Sequence, residues 1–348
     1  MSEYVYALCQ FRHGDKMTSI PQNLPLKLGT LRISSHNIRE LKAASLEKYH
    51  YLYRLYLDKN GLQMIESEAF ARQQFLNKMY LSENNLINIS AESFQGLKTL
   101  QMLRLDHNKL QRIRRGTFLN VPSITYLDLQ VNSISVLEEG AFDRLDYLET
   151  LLLSSNKLRT INSGVFGNLM SLRQLELASN QLRTVEGGVF SCAPLVNKLV
   201  LKGNQLDKIP KEAIGGLESD ALIGLESVAT IDVSGCNITS IQNGVFADLR
   251  KITAVHLNNN PLNCDCHLSW LPGWLSRKPE VTVDDATCRA PSDISGTKLT
   301  AANLSSFVCS CSTCTKDYAC SLVPNNCSCS KTWAGHLAVK PANQRTTP

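Results

Sequence analysis

The chain has 348 residues, of which 43% are hydrophobic, 19% charged and 7% aromatic, with a formal net charge of +5. That balance describes a folded soluble protein and excludes a disordered one. The mild charge is spread along the chain, which excludes the concentrated basic face of a nucleic-acid binder. Length alone fits two or three domains, unless one unit is copied along the chain.

The start, "MSEYVYALCQFRHGDK", holds an apolar run of about six residues, too short for a secretory signal. No later segment approaches the roughly 18 apolar residues of a membrane span. The chain is therefore either cytosolic or a mature piece whose targeting sequences are missing, and its cysteines decide between the two.

From "LYRLYLDKNGLQMI" through "LQMLRLDHNKLQRI" to "LRQLELASNQLRTV", the form L-x-x-L-x-L-x-x-N-x-L-x-x-I recurs every 24 residues. The Asn position is filled by His36, Asn60, Asn84, Asn108, Asn132, Asn156, Asn180, Asn204, Cys236 and Asn260, which makes ten units over residues 27–262. This pattern resembles the leucine-rich repeat. It predicts an α/β solenoid, a curved horseshoe with a parallel β-sheet on its concave face. Each L-x-L is a short strand that buries its Leu side chains only against neighbouring units. The Asn sits at a turn facing the interior, where the backbone of adjacent turns supplies its hydrogen-bond partners. Phe70, Phe94, Phe118, Phe142, Phe166, Phe190 and Phe246 are expected to stack as a second spine behind the strands.

One interval departs from 24: Asn204 and Cys236 are 32 residues apart. The surplus lies near 213–227, where Ala213–Ser219 is nearly repeated as Ala221–Ser227. It reads as a neutral bulge on the convex side, with a projecting functional loop as the alternative.

After the last repeat, "NPLNCDCHLSWLPGW" opens a different composition. A solenoid needs its terminal core covered, and Trp270, Leu271 and Trp274 are placed to cover it. Cys264, Cys266, Cys288 and Cys309 permit three pairings. Zinc at Cys264, Cys266 and His267 is disfavoured, because structural zinc motifs separate paired cysteines by two to four residues. The whole stretch from Asn260 to Cys309 resembles the C-terminal flanking cap of extracellular leucine-rich-repeat proteins such as Slit proteins, Toll-like receptors and variable lymphocyte receptors. That resemblance implies disulfides Cys264–Cys288 and Cys266–Cys309 in a cap over 263–309, and hence an oxidising, extracellular setting, secreted or at the cell surface.

Against the same family, residues 1–26 look like a truncated N-terminal cap. "MTSIPQNLPLKLGTLRIS" matches the end of one, but only Cys9 of the usual four cysteines is present, so the first core layer is expected to be incompletely sealed. Cys9 is expected to be unpaired, Cys236 to be a buried ladder residue and Cys192 a thiol on the repeat back. Residues 310–348 form a cysteine-rich tail in which "NCSCS" resembles the start of another cap, followed by a polar linker.

No catalytic constellation occurs: the seven His are scattered, with His107 and His256 expected on strands, and no G-x-S-x-G, H-E-x-x-H or phosphate loop is present. No enzyme activity, metal or cofactor is expected. The expected function is recognition of a protein or glycan partner on the concave face, in a receptor or secreted recognition protein. The alternative is a matrix, adhesion or guidance protein whose repeats act as spacers. Large anchors cluster in the inner-face columns of the units of Asn60 to Asn132, and the candidate contacts are Arg54, Tyr56, Lys78, Tyr80, Met102, Arg104, Tyr126 and Asp128. Cross-strand pairing of Tyr56 with Tyr80 that merely stiffens the sheet is the competing reading. Sequons place candidate glycans at Asn88, Asn237, Asn303 and Asn326. The triad Arg112, Arg114 and Arg115 reads as a solvated edge, or else as a sulfated-glycan contact.

Overall fold

The computed structural model describes residues 7–11, 16–162, 164–167, 169–183, 185, 189–190, 193–206, 208–209, 222, 225–302, 306–307, 318–323 and 326–331. Twelve strands form one all-parallel sheet. They are β1 (Ala7–Gln10), β2 (Leu28–Arg32), β3 (Arg54–Tyr56), β4 (Lys78–Tyr80), β5 (Met102–Arg104), β6 (Tyr126–Asp128), β7 (Thr150–Leu152), β8 (Gln174–Glu176), β9 (Lys198–Val200), β10 (Thr230–Asp232), β11 (Ala254–His256) and β12 (Thr282–Val283). Each is paired with the next in chain order. The register is as the spacing predicts, with Arg32, Tyr56, Tyr80, Arg104, Asp128, Leu152 and Glu176 in one row. The long interval leaves the sheet intact: Lys198 still pairs with Thr230. The near-duplication at 213–227 falls almost entirely outside the described residues, as does Cys192.

The Leu and Ile of each L-x-L point into one continuous core. Behind them Phe94, Phe118, Phe142, Phe166 and Phe190 stack with centroids 6.0–6.3 Å apart, so each ring packs against the ring of the next turn. The polar counterpart is the Asn ladder. Asn84 donates from Nδ2 to the carbonyls of Leu57 and Leu81, both at 3.0 Å, while its Oδ1 accepts from the Leu62 N–H at 2.8 Å. One side chain therefore satisfies backbone groups of two turns, which a buried turn requires.

Two ladder positions break the pattern. His36 accepts from the Met17 N–H through Nδ1, but its buried Nε2 has no partner. Cys236 is a free, buried thiol whose Sγ lies 3.4 Å from the Leu201 carbonyl. The residue before each ladder position has a left-handed backbone, from Lys59 (φ 60°) through His107 (φ 56°) to Asn259 (φ 55°). His107 therefore lies in a turn, not on a strand as expected. The L-x-L strand ends at Arg104, and the chain must reverse before the ladder residue.

At the N-terminal end, β1 extends the sheet, and Ile20 is buried while Phe11, Met17 and Leu24 pack on the core. The first layer is thus covered more fully than one surviving cysteine suggests, because apolar side chains do the covering. Cys9 is free and half-buried. At the other end, helix α1 (Trp270–Ser276) lays Leu271 on the last layer, with Trp270 and Trp274 against Phe246. The Trp270 indole N–H donates to the Ile241 carbonyl at 3.0 Å. Asp284 then accepts from the backbone N–H groups of Leu257 and Asn258, standing in for the next turn of the solenoid.

Cys264 and Cys288 are disulfide-linked with Cα atoms 5.6 Å apart, the first of the two implied bridges. Cys266 is also disulfide-bonded; Cys309 lies outside the described residues. Beyond the cap, Tyr318–Val323 and Asn326–Lys331 form an antiparallel pair.

Candidate functional site

The outward positions of β2 to β6 build one patch. Because alternate residues of a strand point to opposite faces, Leu55, Met79, Leu103 and Leu127 are buried while their neighbours face the concavity. Tyr56 and Tyr80, one unit apart, stack with ring centroids 4.3 Å apart and planes 6° from parallel. The Arg32 guanidinium carbon lies 4.0 Å from the Tyr56 ring centroid. Burial first, and the adjacent Tyr56 second, push the Tyr80 hydroxyl above its ordinary pKa, so it stays neutral and able both to donate and to accept. Arg54 is exposed, and Lys78 and Met102 are half-buried beside this stack.

Next to the tyrosines is a charged cluster. Arg104 Nε lies 3.1 Å from Asp106 Oδ1 and 3.5 Å from Asp128 Oδ2. Ser82 donates to Asp106 Oδ1 at 2.5 Å, and His107 Nδ1 lies 3.0 Å from the other oxygen. Burial acts to raise the Asp106 pKa, but the hydrogen bonds from Ser82 and His107 and the charge of Arg104 outweigh it and hold the carboxyl below its usual value. Asp128 is different: burial dominates and raises it, although the Gln130 backbone N–H donates at 3.1 Å. Burial also works against the Arg104 charge, yet Asp106 and then Asp128 keep it firmly protonated. Between Asp58, Tyr80, Ser82, Glu83, Arg104 and Asp106 the surface dips into a depression of about 200 Å³.

The eight candidate contacts thus lie on four adjacent strands, but they are not equivalent. Asp128 has a side chain only 2% exposed, lying beneath Arg104 and 3.5 Å from the Tyr126 hydroxyl, so it supports the patch and does not face solvent. Asp58, Ser82 and Asp106 are not among the contacts expected from the sequence. These residues form a third inner-face row, two residues after the central one, and that spacing was the available signal.

Farther along, the face flattens: Leu152, Ser154 and Ser234 are buried, and Glu176 is tied to Lys198 at 2.8 Å. On the flank, Asn88 and Asn237 are exposed. Asn326 lies on a described strand and Asn303 outside the described residues. Arg112, Arg114 and Arg115 are exposed, with Arg112 3.8 Å from Glu138. The zinc reading of Cys264 is displaced by its disulfide.

Residues 50–110, 99–158 and 146–206 match the leucine-rich-repeat family. Mouse SLIT and NTRK-like protein 4 is 30% identical over 86 residues, 24% of this chain and 10% of that protein. The mouse platelet glycoprotein Ib beta chain is 37% identical over 65 residues, 18% of this chain and 32% of that protein. Human vasorin is 31% identical over 108 residues, 29% and 16% of the two chains. The chain therefore spans at most about a third of the length of these relatives. Among solved structures, a chain in the octameric complex of Latrophilin 3, Unc5D and FLRT2 (LRR) superposes with a TM-score of 0.70 at 23% identity, over 83% of this chain and 93% of that one. A chain of the mouse RP105/MD-1 complex gives 0.65 at 19% identity, over 83% and 52%. At those identities the likeness shows the fold alone. With its 24-residue period, Asn ladder, matched repeats and shared fold, the chain folds as a leucine-rich-repeat solenoid closed by a disulfide-bonded cap.

Proposed function

We propose that this chain is an extracellular recognition module that binds a protein or glycan partner on the N-terminal half of its concave face. Arg54, Tyr56, Lys78, Tyr80, Met102, Arg104 and Tyr126 make the contacts, and Asp128 positions Arg104 and Tyr126 from beneath. The observation that carries this reading is the Arg32–Tyr56–Tyr80 stack, a rigid aromatic and cationic surface left half open to water where folding requires no aromatic. Tyr and Arg at the centre of a patch are the residues that dominate binding energy. The Cys264–Cys288 disulfide supports an oxidising compartment, and glycans at Asn88 and Asn237 would leave the concave face clear. The structural neighbours come from complexes, of FLRT2 with Latrophilin 3 and Unc5D and of RP105 with MD-1, which favours a protein partner over a glycan.

The spacer reading draws on the flat, polar face from β7 onward. The two readings, and the purely stiffening role of the tyrosine stack, separate in one experiment. The chain is displayed to a panel of secreted and cell-surface ectodomains, and the partner so identified is titrated against variants. Tyr56→Ala and Tyr80→Ala should each weaken binding by about 1–3 kcal/mol with the melting temperature nearly unchanged. Normal binding by both, with loss on changing Gln174, Lys198 or His256, would put the site in the other half of the arc. A fall in melting temperature without loss of affinity would leave the tyrosines a structural role only.

A further inference from the structure

We propose that the flank on which each turn leaves its concave strand carries a second binding site, for a sulfated glycan chain. This goes beyond the concave-face reading and does not depend on it. The second residue after each ladder position, such as Leu110, Leu158 or Leu182, is buried, which turns the first and third outward. Lys109 and Lys157 fill the first place, Arg159 and Arg183 the third, and Arg112 the fourth, and all five are exposed. Far apart in sequence, they are gathered by the 24-residue period into one run across four turns, three strand spacings or ~14 Å long. The four flank segments concerned, 109–112, 133–136, 157–160 and 181–184, contain no Asp or Glu.

The two arginines are held as a pair. The Arg183 backbone N–H donates to the Arg159 carbonyl at 3.3 Å, so their turns are in direct contact. Arg159 Nε donates to Gln181 Oε1 at 3.3 Å, and Arg183 Nε donates to Gln205 Oε1 at 3.2 Å. Each guanidinium is thereby steered toward the next turn by a neutral amide, and its terminal nitrogens have no partner among the described residues. Like charges one turn apart repel, and folding gains nothing from fixing them side by side. An anion between them removes that cost. In sequence the arginine column ends at Asp207, which lies outside the described residues. Arg112, by contrast, lies 3.8 Å from Glu138, whose carboxylate also accepts from the Arg115 backbone N–H. The arginine triad is therefore partly neutralised, and the centre of the site is Lys157, Arg159 and Arg183.

The chemistry of the run selects its occupant. A line of cations at turn spacing matches a chain that repeats its anions, and the planar guanidinium fork suits a tetrahedral oxyanion such as a sulfate group. No aromatic ring lies in the four segments, so there is nothing on which nucleic-acid bases would stack and no anchor of the kind that dominates a protein interface. The disulfide-bonded cap supports the compartment in which sulfated glycans occur. The centre also lies between the two sequons of this flank, three turns after Asn88 and two before Asn237.

Titration of the chain, produced in secretory cells, with a fluorescent heparin oligosaccharide over a series of salt concentrations tests this directly. Saturable binding is expected that weakens steeply as salt rises, because each cation that meets a sulfate releases a counterion. Arg159→Ala combined with Arg183→Ala should weaken binding about tenfold or more at about 0.15 M salt and flatten the salt dependence, with the melting temperature unchanged. Arg159→Lys with Arg183→Lys should restore most of the salt dependence, a rescue that misfolding does not produce. Heparin stripped of its sulfate groups should not bind. Absence of binding at low salt overturns the proposal. So does binding that survives the double Ala variant, binding abolished by Tyr56→Ala instead, or a polyglutamate peptide of equal charge that binds as tightly as the oligosaccharide.

Discussion

Asp106 and Asp128 sit on the same arginine, yet their environments drive their pKa values in opposite directions. Asp106 has a folded pKa below its unfolded value. Its contribution to stability is fully present above the unfolded carboxylate range, near pH 4, and is lost as pH falls through the lower folded value. Asp106→Asn should therefore cost about 1 kcal/mol at pH 7, the difference closing in acid. Asp128 has a raised folded pKa, so its ionised form is a cost present at neutral pH and relieved as pH falls through that raised value. Asp128→Asn keeps acceptors for the Gln130 N–H and the Tyr126 hydroxyl, and should leave stability at pH 7 unchanged or raise it by up to about 1 kcal/mol. Urea titrations at pH 7 and pH 3 check both signs; two variants destabilised equally at pH 7 would contradict the assignment.

Cys236 offers a second residue-level test. Burial raises its pKa, while the backbone N–H groups of Asn204, Gly203 and Leu206 aimed at the sulfur act against that rise. The site is thus built for an amide and holds a weaker acceptor. Cys236→Asn should stabilise the chain by about 1 kcal/mol, read as a higher melting temperature, and a lower one would mean that the turn there has closed around the smaller side chain.

Among the elements, the strands, the Asn ladder and the phenylalanine spine were legible in the sequence, because a 24-residue period fixes which residues meet. The row Tyr56–Tyr80–Arg104–Asp128 follows from that period alone. Burial within the row could not. Asp128 and Arg104 occupy equivalent positions, and only the bulk of Tyr126 and Arg104 above it hides Asp128. His107 was misplaced because the period locates positions but not where a strand ends and its left-handed turn begins. The spine itself predicts that Phe142→Ala, at the centre of five stacked rings, costs about 3–5 kcal/mol. Neighbouring turns should lose amide protection first, since each turn depends on those beside it.

At the scale of the whole molecule, a solenoid is stable only if its ends are closed, and the C-terminal cap closes its end by a helix, two tryptophans and at least one disulfide. Replacing Cys264 and Cys288 together by Ser should cost about 2–4 kcal/mol. The loss should be local: amide exchange should rise across 254–302 while the turns around Phe118 keep their protection. Uniform loss would show that the array behaves as one cooperative unit. The N-terminal end was less legible, because apolar side chains of β1 and its neighbours replaced the cysteines by which such caps are recognised in sequence.

The central claim is that the tyrosine and arginine surface on β2 to β6 is where this protein meets its partner. Differential hydrogen exchange of the chain, alone and saturated with the ectodomain it captures, tests that most directly. The account predicts slowed exchange confined to the segments 30–34, 54–58, 78–83, 102–107 and 126–131, with the later strands and the flank bearing Asn88 unchanged. Protection centred on β8 to β11, or on the flank alone, would contradict it.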